Sequence, residues 1–396
     1  MPTSQPKTAI INDFFFQNGG AEKVVEELLN IYPESDVFST IFIESKFRDS
    51  PQLTRAWNEG RVRTTWLQWF FVFNNGFLLR FFKHFFWLYP IVMRGVRVHN
   101  YDLVIISSTD CAKQVDLEGN QKLLHYCHTP TRYLHNLITE TDHSSLGLLQ
   151  RIMLKVIVPI IRKMDLQAVN NLKKNNCIWI ANSRFIQGLI KDKYTADSTI
   201  IFPPIDLEKF LPIVPKKINI WTKDSYLLSH GRISFHKRID LAIESCLELG
   251  INLKISGISA VNGQIESLKR IITDYQNANP DKVLPHIEFL GRTSDEQLFQ
   301  LIENCSGFIF PGKEDFGITP VEMLASGIPL IAYGEGGALE YVTQTTNGVF
   351  FENQSIEELI QAILEFQKIT FDVGKIKQTS KEFSTQRFVD GIKGIG

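Results

Sequence analysis

Cysteine is scarce in this 396-residue chain. Cys111, Cys127, Cys177, Cys246 and Cys305 are scattered, odd in number and never spaced as C-x-x-C. Most sit in apolar runs, so buried free thiols in a reducing cytoplasm are expected rather than a disulfide framework. Asp-x-Asp occurs nowhere, and neither does a Gly-x-x-x-x-Gly-Lys-[Ser/Thr] loop or a His-x-x-x-His pair. No metal and no cofactor is therefore expected. The turn after the first apolar run, Phe16-Gln-Asn-Gly-Gly-Ala-Glu22, is not Gly-x-Gly-x-x-Gly, which removes support for nicotinamide binding. The start, MPTSQPK, has no apolar core and does not read as a secretory leader.

The composition, 44% hydrophobic and 21% charged, is that of a soluble globular protein of roughly two or three domains. The net charge of −1 gives no reason to expect nucleic acid as a partner. Charge is uneven, however: residues 1–200 hold 23 Lys/Arg against 18 Asp/Glu, and the remainder 19 against 25. The first half is the better candidate for meeting an anionic surface.

Short apolar runs alternate with helical patterns in two blocks. The first has runs at 8–16, 103–107, 122–127 and 177–182, with helices at about 21–31 and 183–193. The second has runs at 226–230, 253–256, 286–290, 307–310 and 329–333, with a helix at about 237–249. This pattern predicts parallel sheets in two Rossmann-like, doubly wound α/β domains facing each other across a cleft. Prolines around Pro203-Pro204 and Leu211-Pro-Ile-Val-Pro215 mark the boundary. The expected division is 1–205, 206–375 and a final helix within 376–396 that returns to the first domain.

Residues 61–101 contain no Asp or Glu but carry Arg61, Arg63, Arg80, Lys83, Arg94 and Arg97 among aromatics that include Trp66 and Trp69. The longest uncharged piece, Thr64–Leu79, falls short of the ~20 residues a spanning helix needs. Basic and aromatic residues together suit a helix lying in the membrane interface, with Arg61, Arg63, Trp66, Trp69, Arg80 and Lys83 as contacts. The alternative is that the segment packs on the domain's own sheet.

Chemistry concentrates in two clusters. In Phe310-Pro-Gly-Lys-Glu-Asp-Phe-Gly-Ile-Thr-Pro-Val-Glu322, an apolar strand runs into a turn bearing Glu314 and Asp315, then into a helix opening near Ile318 or Thr319. Backbone N–H groups of Phe316, Gly317 and Ile318 at that helix start suit ligand oxygens, and Glu314 suits hydroxyls, so a sugar fits both. Glu322 has a structural rival role: Thr319-Pro320-Val321-Glu322 also reads as a capping box with Thr319 as N-cap. In Ser229-His-Gly-Arg-Ile-Ser-Phe-His-Lys237, Arg232 and Lys237 follow a strand and suit a diphosphate, or else a solvated basic turn.

These clusters in order, with Gly19-Gly20-Ala-Glu22 and Tyr126-Cys-His-Thr-Pro-Thr-Arg-Tyr133, resemble the retaining GT-B glycosyltransferases of family 4 across nearly the whole chain. The His-Thr-Pro-x-Arg-Tyr version is similar to bacterial mannosyltransferases that use GDP-mannose in lipopolysaccharide or exopolysaccharide assembly. Leu134-His135 departs from that subgroup, which usually shows an aromatic and an acid there.

The resemblance implies that Glu314 holds the donor sugar's hydroxyls, with the amides of Phe316, Gly317 and Ile318 and with Thr319 beside it. It implies that Arg232 and Lys237 bind the diphosphate and stabilise the charge of the breaking bond, and that Glu322 takes the ribose. His128 is implied to contact the transferred sugar, though alone it reads as a satisfied turn histidine. Gly19 and Gly20 let backbone approach the diphosphate or acceptor, and Arg292 lies by the base. The expected enzyme is a metal-independent hexosyltransferase, peripheral on the inner face of the plasma membrane, moving mannose from GDP-mannose to a lipid-linked saccharide with retention. A soluble enzyme with a small acceptor, and a non-catalytic nucleotide-binding protein, remain open.

Overall fold

The computed structural model describes residues 6–73, 79, 85–135, 148–259, 261 and 263–396, with the backbone alone at 73 and 148–154. The chain divides into two compact units, residues 1–204 with 385–396 and residues 205–384.

The first unit contains β1 (Thr8–Asn12), β2 (Asp36–Ser39), β3 (Val62–Thr64), β4 (Arg97–Val98), β5 (Leu103–Ser108), β6 (Asp116–Leu117), β7 (Lys122–Cys127), β8 (Ile178–Ala181) and β9 (Ser198–Ile200). Its main sheet is parallel in the order β3-β2-β1-β5-β7-β8-β9, and β4 pairs with β6 apart from it. Successive residues of the central strands face opposite sides, as the two-residue strand repeat requires. Ala9 and Ile11 join one core with helix residues Val169, Leu172, Ile186 and Ile190. Ile10 joins the other with Val24, Leu28, Leu53, Phe388 and Ile392. Helices therefore cover both faces, and the strands read as unbroken apolar runs.

The second unit contains β10 (Tyr226–His230), β11 (Asn252–Ser256), β12 (Ile287–Gly291), β13 (Gly307–Phe310), β14 (Leu330–Tyr333) and β15 (Gly348–Phe351) in the parallel order β12-β11-β10-β13-β14-β15. The chain winds outward from β10 through β11 to β12, then returns to the centre at β13 and winds the other way. The switch point lies between β10 and β13, which is where a doubly wound sheet opens a crevice beyond its strand ends. In the first unit the same reversal falls between β1 and β5.

The expected final helix is two. Val373–Ser380 and a tight turn at Lys381–Phe383 stay with the second unit, and Thr385–Ile395 completes the first. Phe383 and Phe388 are both buried, so each piece is fixed by its own core. Among the described residues no helix is long and apolar enough to cross a membrane. All five cysteines are free, and all but Cys177 are buried.

Candidate functional site

The switch point of the second unit gathers most of the expected donor-binding residues. Directly after β10 comes Gly231, whose φ of +122° is open mainly to glycine. A Cβ there would stand 3.2 Å from Lys237 Nζ and 3.7 Å from Thr319 Oγ1. Lys237 closes the tight turn Phe235–Lys237 and forms an ion pair of 2.8 Å with Glu314 Oε1, the two side chains being 14% and 20% exposed. Gly312 packs directly on this turn: a Cβ on it would lie 2.5 Å from the Lys237 Cα. Sequence positions 75 or more apart thus converge because β10 and β13 are neighbours. Arg232 leaves the same strand end.

Beyond Glu314 the chain turns at Phe316, which is buried with its ring 5.7 Å from Tyr341 and 5.6 Å from Phe383. Only its backbone is therefore available to a ligand. Gly317, with φ at +90°, is the N-cap of helix Ile318–Ala325, and no side chain caps it. This corrects the capping-box expectation. Thr319 and Pro320 are the second and third helical residues, so Glu322 sits two positions past the one from which an acid reaches back to the cap. The first-turn amides belong to Ile318 and Thr319, and Pro320 has none. Glu322 is buried in the second turn. Glu335 pairs with Lys313, and Gly337 donates to the Glu314 carbonyl at 2.8 Å, so the following loop braces the acid's backbone. Arg292 is exposed beyond β12, two strands out from β10, or roughly 10 Å of sheet spacing.

In the first unit, helix Gly20–Ile31 starts directly at the paired glycines, with Gly19 as its N-cap. Gly19 is extended, at φ −130°, so it needs no special conformation. Its amide donates to Glu22 Oε2 at 3.0 Å and is satisfied within the turn. His128 follows β7 and is buried, its Nε2 bonded to Ser107 Oγ at 2.8 Å and its carbonyl accepting from Asn182. Burial pushes its pKa down to about 4 against the pull of Asp13, so the ring is neutral at pH 7.

Two features escaped sequence reading. Asp13, just past β1, accepts from the amides of Thr109 (2.6 Å), Asp110 (3.0 Å) and Ala112 (2.6 Å), fastening the loop after β5 across the first switch point. An acid ending an apolar strand was the available signal. The second is a buried ion pair, Lys113 Nζ with Asp165 Oδ1 at 2.8 Å, flanked by Thr131 and by His135 Nε2 at 3.4 Å. It accounts for the departure at His135, which lies beside an acid supplied from elsewhere. Burial is the largest single influence and would raise the Asp165 pKa, but Lys113 and His135 together outweigh it and hold the carboxyl below the usual range. Asp110 is pushed up to about 7 by burial, helped by Asp13 and opposed by Lys113.

Of the expected membrane contacts, Trp66 and Trp69 are 58% and 68% exposed. Arg61 is bound to Glu59 and the Ser35 carbonyl, and Arg63 to Asp36, so both charges are already met within the protein. Arg80 and Lys83 lie outside the described residues.

Comparison with known proteins fits this geometry. Residues 212–382 match the model for glycosyl transferases group 1. The chain is a glycosyltransferase. It is 25% identical to human alpha-1,3/1,6-mannosyltransferase ALG2 over 295 residues, covering 69% of this chain and 67% of that protein. It is 26% identical over 182 residues, 41% of this chain and 44% of the relative, to a GDP-mannose-dependent monoacylated alpha-(1-6)-phosphatidylinositol monomannoside mannosyltransferase of Corynebacterium glutamicum. The chain spans about half the length of several curated relatives it matches, such as 56% of mouse ALG2. HepE of Anabaena, solved with UDP, superimposes over 98% of both chains with a TM-score of 0.63 at 16% identity, which places the chain in the GT-B fold.

Proposed function

We propose that the protein transfers mannose from GDP-mannose to a lipid-linked saccharide at the inner face of the plasma membrane, with retention of configuration and without a metal. The observation that carries this reading is the convergence of Lys237, Glu314, Gly231 and Thr319 at the switch point of the second sheet. A cation there offsets diphosphate charge, an acid accepts sugar hydroxyls, and uncapped helix amides donate to oxygens. The GDP-mannose part rests on the mannosyltransferase relatives.

In the proposed reaction the bond between the sugar's anomeric carbon and the diphosphate oxygen breaks, and its electron pair leaves with the nucleotide. The acceptor oxygen bonds to the same face of the carbon and passes its proton to the departing phosphate. Arg232 and Lys237 stabilise the negative charge as it grows. Glu314 orients the sugar, and Glu322 takes the ribose hydroxyls.

Incubating the protein with GDP-mannose and a polyprenyl diphosphate-linked glycan, in excess EDTA, tests the reading. An α-configured mannosyl product by NMR is expected. Transfer only to a free sugar in solution would replace the lipid acceptor, and a strict need for added Mg²⁺ would overturn the metal-free mechanism.

A further inference from the structure

Helix Leu148–Lys174 in the first unit has a face that the site above does not use. Its one acid, Asp165, is buried against Lys113. Lys155, Arg162 and Lys163 are exposed, and so are Val156 (60%), Ile160 (57%) and Leu166 (36%). At 100° per residue these six positions fall within an arc of roughly 160°. Cations and large aliphatics therefore share one side of the helix, with no acid among them.

Among the described residues, the elements that pack beside the helix, Tyr89–Met93, Ala112–Gln114 and Arg132–Leu134, contain no Asp or Glu. Arg94 ties the first of them down by donating to Gln167 Oε1 at 3.1 Å, and Ile91 is 49% exposed nearby in sequence. A groove of about 470 Å³ runs along the helix, lined by Leu134, Val158, Arg162, Lys163 and Leu166 among others. Its wall is part cationic and part aliphatic, like the surface as a whole.

We propose that this face docks on an anionic bilayer, with Lys155, Arg162 and Lys163 meeting lipid phosphates and Val156, Ile160 and Leu166 entering the acyl boundary. Basic residues alone would suit any polyanion, and aliphatics alone any apolar partner. The mixture on one helical face suits the headgroup boundary, where both solvents lie within one side chain's reach. The inference rests on the membrane part of the proposed function but assigns the contact to a different element from residues 61–101.

Co-sedimentation of the full chain with sucrose-loaded vesicles tests it. The vesicles are phosphatidylcholine alone, or phosphatidylcholine with about one third phosphatidylglycerol. Parent protein is expected to bind the anionic vesicles and not the neutral ones. Each cation near the surface contributes roughly fivefold in partitioning, so Arg162→Gln/Lys163→Gln is expected to weaken binding by about 25-fold. Val156→Ser/Ile160→Ser is expected to weaken it several-fold. GDP-mannose hydrolysis in solution should be the same for all three proteins. If both variants sediment like the parent while Trp66→Ser/Trp69→Ser does not, this helix is excluded and the membrane reading stands. If the parent binds neither vesicle, both fail. Retention on single-stranded RNA without vesicle binding would also overturn the inference.

Discussion

Lys237 and Glu314 form a 2.8 Å ion pair although 77 positions separate them, because β10 and β13 lie side by side at the switch point. Their relationship decides how each should respond to substitution. The two side chains are mostly shielded, but Lys237→Gln keeps a hydrogen-bond donor beside the acid, so losing the charge pair costs about 1 kcal/mol of stability. A preorganised cation facing a leaving diphosphate contributes far more to the rate. Lys237→Gln is expected to lower kcat by about 10²- to 10³-fold while shifting the melting temperature by no more than about 4 °C. Steady-state transfer assays beside calorimetry check this, and a rate within threefold of the parent would contradict it.

Glu322 offers a cleaner separation of binding from structure. The helix opens at Ile318, so no capping box depends on this acid. Glu322→Gln is expected to raise the KM for the sugar nucleotide about tenfold, from the loss of one charge-assisted hydrogen-bond partner, and to leave kcat within about threefold. Equal kinetics in parent and variant would remove the ribose role.

The buried pair Lys113–Asp165 should behave in the opposite way, through stability. Lys113→Met leaves a carboxylate inside the first unit without its cation, which typically costs about 3–5 kcal/mol. Adding Asp165→Leu removes the stranded charge and is expected to restore most of that loss. Denaturant melts of the parent, the single and the double variant measure the coupling. A double variant as unstable as the single one would contradict this account.

His128 predicts a pH dependence. Its folded pKa, about 4, lies below the ordinary 6.5 because burial disfavours the charged ring. Between those values the unfolded chain binds a proton that the native ring does not, so stability falls as pH drops from 6.5 to 4. The shift corresponds to roughly 3 kcal/mol. Asp110, with its pKa raised to about 7, acts in the reverse sense, since the native state gains its proton first as pH falls. Comparing the parent with His128→Asn cancels Asp110. The stability difference between the two is expected to shrink by up to about 3 kcal/mol from pH 7 to pH 4, and a constant difference would refute the assignment.

The central strands were legible because they are continuous apolar runs ended by turn residues. Tyr226–His230 and Gly307–Phe310 agree with the structure to the residue. Edge strands were not: Ser198–Ile200 is short and half-exposed, so no run marks it. Pro159 and the β-branched residues around it obscured helix Leu148–Lys174, which carries that proline exposed in its interior. The helix opening at Ile318 was within the expected range, but its cap was misread: Gly317 enters it from a left-handed conformation, while the Thr-Pro pair one residue on is the stronger local signal. Asp165 with Lys113 left no trace, since 52 positions and a change of element separate them. The acids and cations of the second unit were readable because they lie in the segments that follow β10 and β13.

The central claim is that the switch point of the second sheet holds a sugar nucleotide through Lys237 and its neighbours. Thermal unfolding of parent and Lys237→Gln with GDP-mannose, UDP-glucose and ADP-glucose, each at about 100 times its dissociation constant, tests it most directly. A bound donor is expected to stabilise the parent by about 2.7 kcal/mol, with GDP-mannose acting at the lowest concentration and the variant responding weakly at the same concentrations. A parent that none of the three donors stabilises, or a variant that responds as fully as the parent, would contradict the account.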